Sequence, residues 1–369
     1  MKKNLFMVAA VALMAMVSCN KEEINNGGAD VQAQEPSVLV EFTASLGEDA
    51  TKTTLDAANK KTLWVKTDEI SINGEVFHVK ELIDGGLSAK FVNKNELPAG
   101  FAAPYTALYP ANTTEVPAEQ TAYAGKFDPT AVLETATSDN EFLSFKNKTS
   151  LLKFQVPAAC SSVTLISDDA LAGSDATTVT ISGDMKTGTD YYVAVLPGEK
   201  KNFVVRIDGY LSKNVASVNI PTSTIANMKT LPAPEVFGWG LVGQHQEWDI
   251  TKPTPMRKVA DGVYALLDIK LDADGFKFAK NNLQNWNTAN TYFGAWKKSS
   301  NKNFFNFSTE MTAGAWYSVY TNNLGGQSEN IGVSDFTKRY DVYVKVITEA
   351  EWGQELGYTV VQSGTKVTY

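Results

Sequence analysis

The sequence predicts an all-β chain built from tandem β-sandwich domains, and three observations support that prediction. Short runs rich in Val, Thr, Tyr and Phe alternate apolar with other residues, as half-buried strands do. Turn formers such as the Asp-Gly-Gly of residues 84–86 separate these runs at short, regular intervals. The chain has 369 residues, which is long enough for more than one compact domain.

Residues 1–18 are predicted to be a lipoprotein signal peptide. Two lysines precede an apolar stretch over residues 5–17, which is too short to span a bilayer stably. The stretch ends in Met-Val-Ser before Cys19, and this resembles a lipobox, in which the cysteine thiol receives a diacylglycerol. The alternative is an ordinary signal peptide cleaved near Ala15, with Cys19 incidental.

A charged cluster of Lys21, Glu22 and Glu23 follows the cysteine directly. It resembles the export signal that sends lipoproteins of one Gram-negative phylum to the outer face of the outer membrane. The alternative is a solvated charge run in a tether. Residues 19–36 have no apolar periodicity after this cluster and are predicted to be a lipidated, flexible tether.

Residues 37–232 form the first predicted folded region, as one sandwich or as two subdomains. Its motifs are KTTL at 52–55, LW at 63–64, SLLKF at 150–154, LAG at 171–173, YYVAVLPG at 191–198 and NMKTLP at 227–232. In this order and spacing they resemble fimbrillin-like proteins. The resemblance implies paired β-sandwich domains on an exported lipoprotein, which is either a fimbrial subunit or a surface protein that does not polymerise.

The positions of the arginines bear on that choice. In polymerising fimbrillins an arginine-directed protease removes the segment before the first strands and opens a groove for a donor strand. The arginines of this chain are Arg206, Arg257 and Arg339, none of them near the start of the fold. We therefore expect a retained lipid anchor and a spacer role for this region.

A Pro-rich joint at residues 231–234 is the predicted boundary of a second domain over residues 236–369. Six of the seven tryptophans lie beyond it, namely Trp239, Trp248, Trp286, Trp296, Trp316 and Trp352. Flat aromatic faces stack on sugar rings, so this concentration suggests a carbohydrate site. Core packing is the alternative interpretation. The alternation of apolar with other residues favours core packing for Trp239 and Trp316, whereas Trp352 fits either interpretation.

Trp286 and Trp296 lie in amide-rich and lysine-rich surroundings that are typical of loops. They are interpreted either as ligand platforms or as core residues. Lys277 lies between Phe276 and Phe278 on a predicted strand and therefore points away from both rings. It faces either the same cleft or open solvent.

A second resemblance covers residues 236–369. Its motifs are GWGLVG at 238–243, EWD at 247–249, DGVY at 261–264, FKF at 276–278, NW at 285–286, YDVYV at 340–344 and YTVV at 358–361. They are similar to domains of SusE/SusF-type glycan-binding lipoproteins. The resemblance implies an immunoglobulin-like carbohydrate-binding sandwich that binds starch-like glucan beside an outer-membrane glycan importer. The candidate glycan-binding residues are Trp286, Trp296, Lys277, Lys280, Asn287 and Trp248.

Nucleic-acid binding and catalysis are not expected. The net charge of −8 repels phosphate backbones. His78 and His245 lie far apart in the sequence, so neither a metal site nor a Ser/His/Asp triad is predicted, and no cofactor is expected. The Glu-Trp-Asp of residues 247–249 is expected to place two carboxylates on one strand face, but Lys252 stands where jelly-roll glycosidases carry a third acid.

The sequence therefore predicts a non-catalytic, cell-surface glycan-binding lipoprotein that captures oligosaccharide or polysaccharide. It is expected to be lipid-anchored in the outer membrane and to face the cell exterior. The alternative is an adhesin or accessory fimbrial subunit. Of the two cysteines, Cys160 is predicted to lie inside a β core.

Overall fold

The structure is a computed structural model, and it describes residues 38–46, 55–56, 61–280, 292–293, 295–296, 316–320, 328–329, 331–333, 335–350 and 353–369. The strands before residue 231 are β1 (Glu41–Leu46), β2 (Leu55–Asp56), β3 (Lys61–Thr62), β4 (Glu69–Ile72), β5 (Glu75–Ile83), β6 (Ser88–Asn93), β7 (Tyr105–Tyr109), β8 (Glu119–Thr121), β9 (Glu134–Ser138), β10 (Phe142–Asn147), β11 (Ser150–Gln155), β12 (Cys160–Ile166), β13 (Thr178–Met185), β14 (Tyr191–Val195), β15 (Gly198–Ile207), β16 (Tyr210–Ile220) and β17 (Ile225–Thr230).

The later strands are β18 (Val236–Gly243), β19 (Thr254–Ala260), β20 (Val263–Lys270), β21 (Phe276–Lys280), β22 (Tyr292–Phe293), β23 (Ala295–Trp296), β24 (Tyr317–Tyr320), β25 (Ser328–Glu329), β26 (Arg339–Ala350) and β27 (Gly353–Gln362). Single 3₁₀ turns occur at Asp84–Gly86 and Gln244–Gln246. Among the described residues, no helix has both the length and the apolar character that crossing a membrane requires.

The first strands close into a barrel in the order β1, β10, β9, β7, β4, β5, β6. Strand β1 closes it by pairing antiparallel with β6 and parallel with β10. Alternation along β1 buries Phe42 and Ala44 completely, as the apolar pattern predicts. Trp64 is buried with them in one hydrophobic cluster, so this part of the chain has a hydrophobic core of its own.

The next strands form a sandwich of two sheets. One sheet has the order β14, β11, β17 and the other the order β16, β15, β12, β13, β8. Side chains from both sheets share one core that includes Leu151, Val193, Val163, Ile181 and Val205, all of them fully buried. Every residue of β14 is buried, because both faces of that strand are covered.

The C-terminal strands form a sheet with the order β22, β21, β18, β19, β20, β26, β27, β24. The rings of Phe278 on β21 and Tyr358 on β27 lie 6.1 Å apart although four strands separate them in the sheet. The sheet therefore curls around a core that β21 and β27 share, as a sandwich does. Phe237 and Leu241 are buried there and Trp239 packs against them half-buried. The predicted all-β class with sandwich-like domains is confirmed.

The hairpin between β15 and β16 contacts the C-terminal sheet. Tyr210 is buried in one hydrophobic cluster with Val259, Val263 and Tyr343. Its hydroxyl accepts a hydrogen bond of 3.1 Å from the amide of Leu267. Buried apolar contacts therefore join the regions on either side of residue 232, while the domain boundary at residues 231–234 stays a prediction.

Cys160 lies in the sandwich core, as predicted, with 9% of its surface exposed. Burial, assisted by the nearby Asp208 carboxylate, raises the pKa of the Cys160 thiol to about 11. Because only the thiolate reacts, we expect Cys160 to stay unmodified by iodoacetamide in the folded protein at neutral pH. Peptide mass spectrometry should show modification only after unfolding in urea, and rapid labelling without urea would contradict the buried position.

Candidate functional site

The predicted site residues divide into three groups. Outside the described residues lie Cys19, Lys21, Glu22, Glu23, Trp286 and Asn287. For Lys280 and Trp296 the structure describes the backbone. Lys277 and Trp248 are both half-buried. Of the candidate residues, Lys277 and Trp248 therefore define the described part of the site.

Lys277 lies on the face of β21 that the sequence predicts. Phe276 and Phe278 are fully buried on the other face. Lys277 is opposite Val242 of β18, and residues paired across a sheet share a face. Val242 packs with Ala279 and with Ile250, which belongs to the segment after β18. The face that carries Lys277 is thus partly covered by residues 244–252.

Residues 244–252, which partly cover this face, are called the 244–252 turn, and Trp248 lies within it. Hydrogen bonds within the turn and to Gly243 hold its conformation. The Trp248 amide donates to the Gly243 carbonyl at 2.9 Å. The Gln246 side-chain amide donates to the Asp249 carbonyl at 2.8 Å. Because Gly243 is opposite Phe276 in the sheet, the backbone of Trp248 lies near the start of β21. The structure therefore brings Trp248 and Lys277 to the same end of the β18–β21 pair.

The backbone of the 244–252 turn adopts an unusual conformation. Glu247 and Trp248 have φ angles of 59° and 56°. A left-handed conformation costs a non-glycine residue roughly 1–2 kcal/mol. Such conformations persist where the surrounding structure enforces them, and they cluster at binding sites. Sequence reasoning missed this feature, because no glycine or asparagine marks the two positions.

The prediction that Glu247 and Asp249 share a strand face is wrong. Strand β18 ends at Gly243, and both carboxylates lie in the 244–252 turn. The Asp249 carboxylate accepts hydrogen bonds from the Thr251 hydroxyl at 2.6 Å and the Thr251 amide at 3.0 Å. These bonds lower the pKa of Asp249. Asp249 therefore caps a turn, and the strand geometry of a jelly-roll carboxylate pair is not formed.

The loop predicted around Trp296 is also corrected. The structure places the backbone of Trp296 in strand β23, where it pairs with Ser328 of β25. The pairing partner lies far away in sequence, so the local composition around Trp296 contained no sign of a strand. A ligand role for Trp296 stays a prediction.

Trp316, predicted to be a core strand residue, immediately precedes β24 and packs half-buried against the cluster that contains Val259 and Tyr343. Its indole N–H donates to the Thr368 carbonyl at 3.2 Å. The Lys345 ammonium lies 4.0 Å from the centre of its ring, within the range of a cation–π contact. Trp316 therefore already has a hydrogen-bond partner and a cationic partner within the protein.

Metal-binding groups are not gathered near the 244–252 turn. Within the described part of the chain, no group of three or more His, Cys, Asp or Glu side chains could hold a metal ion. His245 instead contacts the Thr254 hydroxyl at 2.9 Å through Nε2. Burial lowers the pKa of His245, so its imidazole is neutral at physiological pH.

No protein-family model and no curated protein matches the chain. Among solved structures, it is similar to a candidate cell adhesion protein from Bacteroides uniformis, with 14% identity, a TM-score of 0.25 and coverage of 46% of this chain and 80% of that one. It is similar to a fimbrial protein from Bacteroides ovatus, with 10% identity, a TM-score of 0.26 and coverage of 55% and 53%. It is also similar to a candidate cell adhesion protein from Bacteroides fragilis, with 10% identity, a TM-score of 0.27 and coverage of 52% and 90%.

Proposed function

We propose that the protein is a non-catalytic, cell-surface lipoprotein that captures oligosaccharide or polysaccharide, such as a starch-like glucan, through residues 236–369. One observation supports this most strongly. Trp248 is half-buried and belongs to a self-hydrogen-bonded turn that partly covers the sheet face carrying Lys277. Trp286, Asn287 and Trp296 are proposed to extend the same surface, and Lys280 is proposed to contact the ligand at the end of β21.

The chemistry of this arrangement suits a sugar. An indole offers a flat apolar surface to the C–H face of a pyranose ring, and an ammonium donates hydrogen bonds to its hydroxyls. A turn already held in one conformation loses little entropy when the ligand binds. The left-handed backbone at Trp248 is a strained conformation, and the preformed turn holds it before the ligand binds.

The cellular part of the proposal follows from the N-terminal sequence. Cys19 is proposed to carry the lipid, and Lys21, Glu22 and Glu23 are proposed to direct export to the outer face of the outer membrane. A glycan captured there would be passed to an outer-membrane importer. The fold of residues 37–232 would then act as a spacer between the membrane and the binding region.

Replacing the indole tests the proposal. Trp248→Ala in the full chain is expected to weaken binding to a soluble glucan by roughly thirtyfold, or about 2 kcal/mol, the usual cost of removing an aromatic anchor. Lys277→Ala is expected to weaken it less, by roughly fivefold, as for one hydrogen bond. Affinity electrophoresis in gels containing a panel of polysaccharides measures both effects. Tyr123→Ala is the matched control, because that ring is 44% exposed and lies outside residues 236–369.

Two results would contradict glycan capture. One is a wild-type protein that no polysaccharide of the panel retards. The other is a Trp248→Ala variant that is retarded as strongly as the wild type and Tyr123→Ala. Recovery of the protein from sheared, SDS-resistant filaments would favour the alternative, an adhesin or accessory fimbrial subunit.

A further inference from the structure

A polar cleft lies where β16 meets the β19–β20 hairpin, and we define it as the junction cleft. Its volume is about 340 Å³, which is at the lower end of the range for small-ligand sites, roughly 300–1,000 Å³. The polar residues that line it are Ser212, Lys213, Asn214, Glu235, Lys258 and Asp261. Neither region makes the cleft alone, because the first three residues belong to β16 and the others follow residue 232.

The β16 wall of the junction cleft offers hydrogen-bond donors. Lys213 and Asn214 are exposed, and within the described residues neither side chain has a hydrogen bond or an ion pair. The Ser212 hydroxyl donates to the Pro232 carbonyl at 2.7 Å, so its oxygen can still accept a bond. Lys213 and Asn214 alternate along β16, so this wall carries the Ser212 hydroxyl acceptor together with the donor of one of these two residues.

The opposite wall offers acceptors that are already oriented. The Tyr264 hydroxyl donates to Glu235 Oε1 at 2.6 Å. Lys258 Nζ lies 3.5 Å from Glu235 Oε2 and 3.1 Å from Asp261 Oδ1. These contacts hold the Glu235 carboxylate and the Lys258 ammonium at fixed positions, while the Asp261 side chain remains 86% exposed.

The spacing of the two walls is also fixed. Strand β16 begins at Tyr210, whose ring is buried against Val259 and Val263 and lies 5.5 Å from the Arg257 guanidinium. Arg257 precedes Lys258, and Tyr210 lies two residues before Ser212. The apolar contact therefore holds the base of the junction cleft together, and the cleft is formed before any ligand arrives.

The charges of the junction cleft indicate what it binds. Two lysines face two carboxylates, so the formal charges cancel and neither an anion nor a cation is favoured overall. Both walls carry donors and acceptors, which match groups that donate and accept at once, as the neighbouring hydroxyls of a sugar do. We propose that the junction cleft is a second glycan subsite, which takes an uncharged sugar unit of the polysaccharide. This inference rests on the proposed function, because it assumes a carbohydrate ligand.

The test compares two double variants of the full chain. Lys213→Ala with Asn214→Ala removes the free donors, and Ser217→Ala with Asn219→Ala changes exposed residues of the same strand outside the cleft. Isothermal titration with a neutral maltooligosaccharide, or with the neutral oligosaccharide of whichever polysaccharide retards the protein, is expected to show about tenfold weaker binding for the first variant only. Circular dichroism confirms that both variants fold. An oligosaccharide of similar length that carries uronic acids is expected to bind no more tightly than the neutral one.

The outcomes separate the two claims. Wild-type affinity for the Lys213→Ala/Asn214→Ala variant, together with loss of binding in Trp248→Ala, would overturn the junction cleft as a subsite and leave glycan capture standing. Equal weakening in both double variants, or preferred binding of the acidic oligosaccharide, would also overturn it. If the wild type binds no glycan, both claims fail.

Discussion

Trp64→Ala is expected to lower the free energy of unfolding by about 3–5 kcal/mol, the usual cost of truncating a buried aromatic residue. Trp64 is 1% exposed. Its ring lies 4.9 Å from Phe91, 5.3 Å from Tyr109 and 5.6 Å from Phe145, measured between ring centres. These partners come from three strands of the barrel, so the cavity left by alanine removes contacts to all three. Urea denaturation followed by circular dichroism measures the change.

The matched control for Trp64 is Phe142→Ala on strand β10. The Phe142 ring is 69% exposed, so removing it creates no cavity. We expect a change within about 0.5 kcal/mol, as for other surface substitutions. Equal stability of the two variants would contradict the burial of Trp64 in the barrel core.

Gly275→Ala is the second substitution with a large expected effect. Gly275 has a φ of 70°, and a Cβ there would overlap the Ile331 carbonyl oxygen and lie 2.9 Å from the carbonyl carbon. That carbonyl accepts a hydrogen bond of 2.9 Å from the Phe276 amide. Left-handed strain of roughly 1–2 kcal/mol and overpacking of roughly 1–3 kcal/mol add to a loss of about 2–5 kcal/mol. Thermal and urea unfolding of the full chain measure it.

Gly262→Ala separates the two contributions to the Gly275 effect. Gly262 has a φ of 68°, and nothing lies within 4 Å of an added Cβ. Only the conformational strain applies there, so a loss of about 1 kcal/mol is expected. Equal losses at the two glycines would show that Ile331 does not press against Gly275.

Features set by local alternation could be predicted from the sequence. Phe276 and Phe278 point into the core and Lys277 away from it, because successive side chains of a strand point to opposite faces. The same rule placed Phe237 and Leu241 inside. Alternation does not depend on the strand's pairing partner, which is why the inward and outward positions of these side chains could be predicted from the sequence.

Features set by distant partners could not be predicted. Strand β1 pairs in parallel with β10, which lies about a hundred residues later in the chain. Trp296 pairs with Ser328, and Tyr210 packs against strands beyond the Pro-rich joint. The left-handed backbone of Glu247 and Trp248 is enforced by the fold around it and has no local residue signal. The candidate site depends on these contacts more than the fold class does.

The central claim is that the Trp248 indole is a contact surface for a sugar, and indole N–H resonances test it directly. In a titration of the ¹⁵N-labelled protein with the neutral oligosaccharide, the Trp248 indole signal is expected to shift with saturation, whereas the signal of Trp64, which is 1% exposed, stays in place. The indole signals are assigned through Trp→Phe variants. A Trp248 signal that does not move while the oligosaccharide binds would contradict the claim.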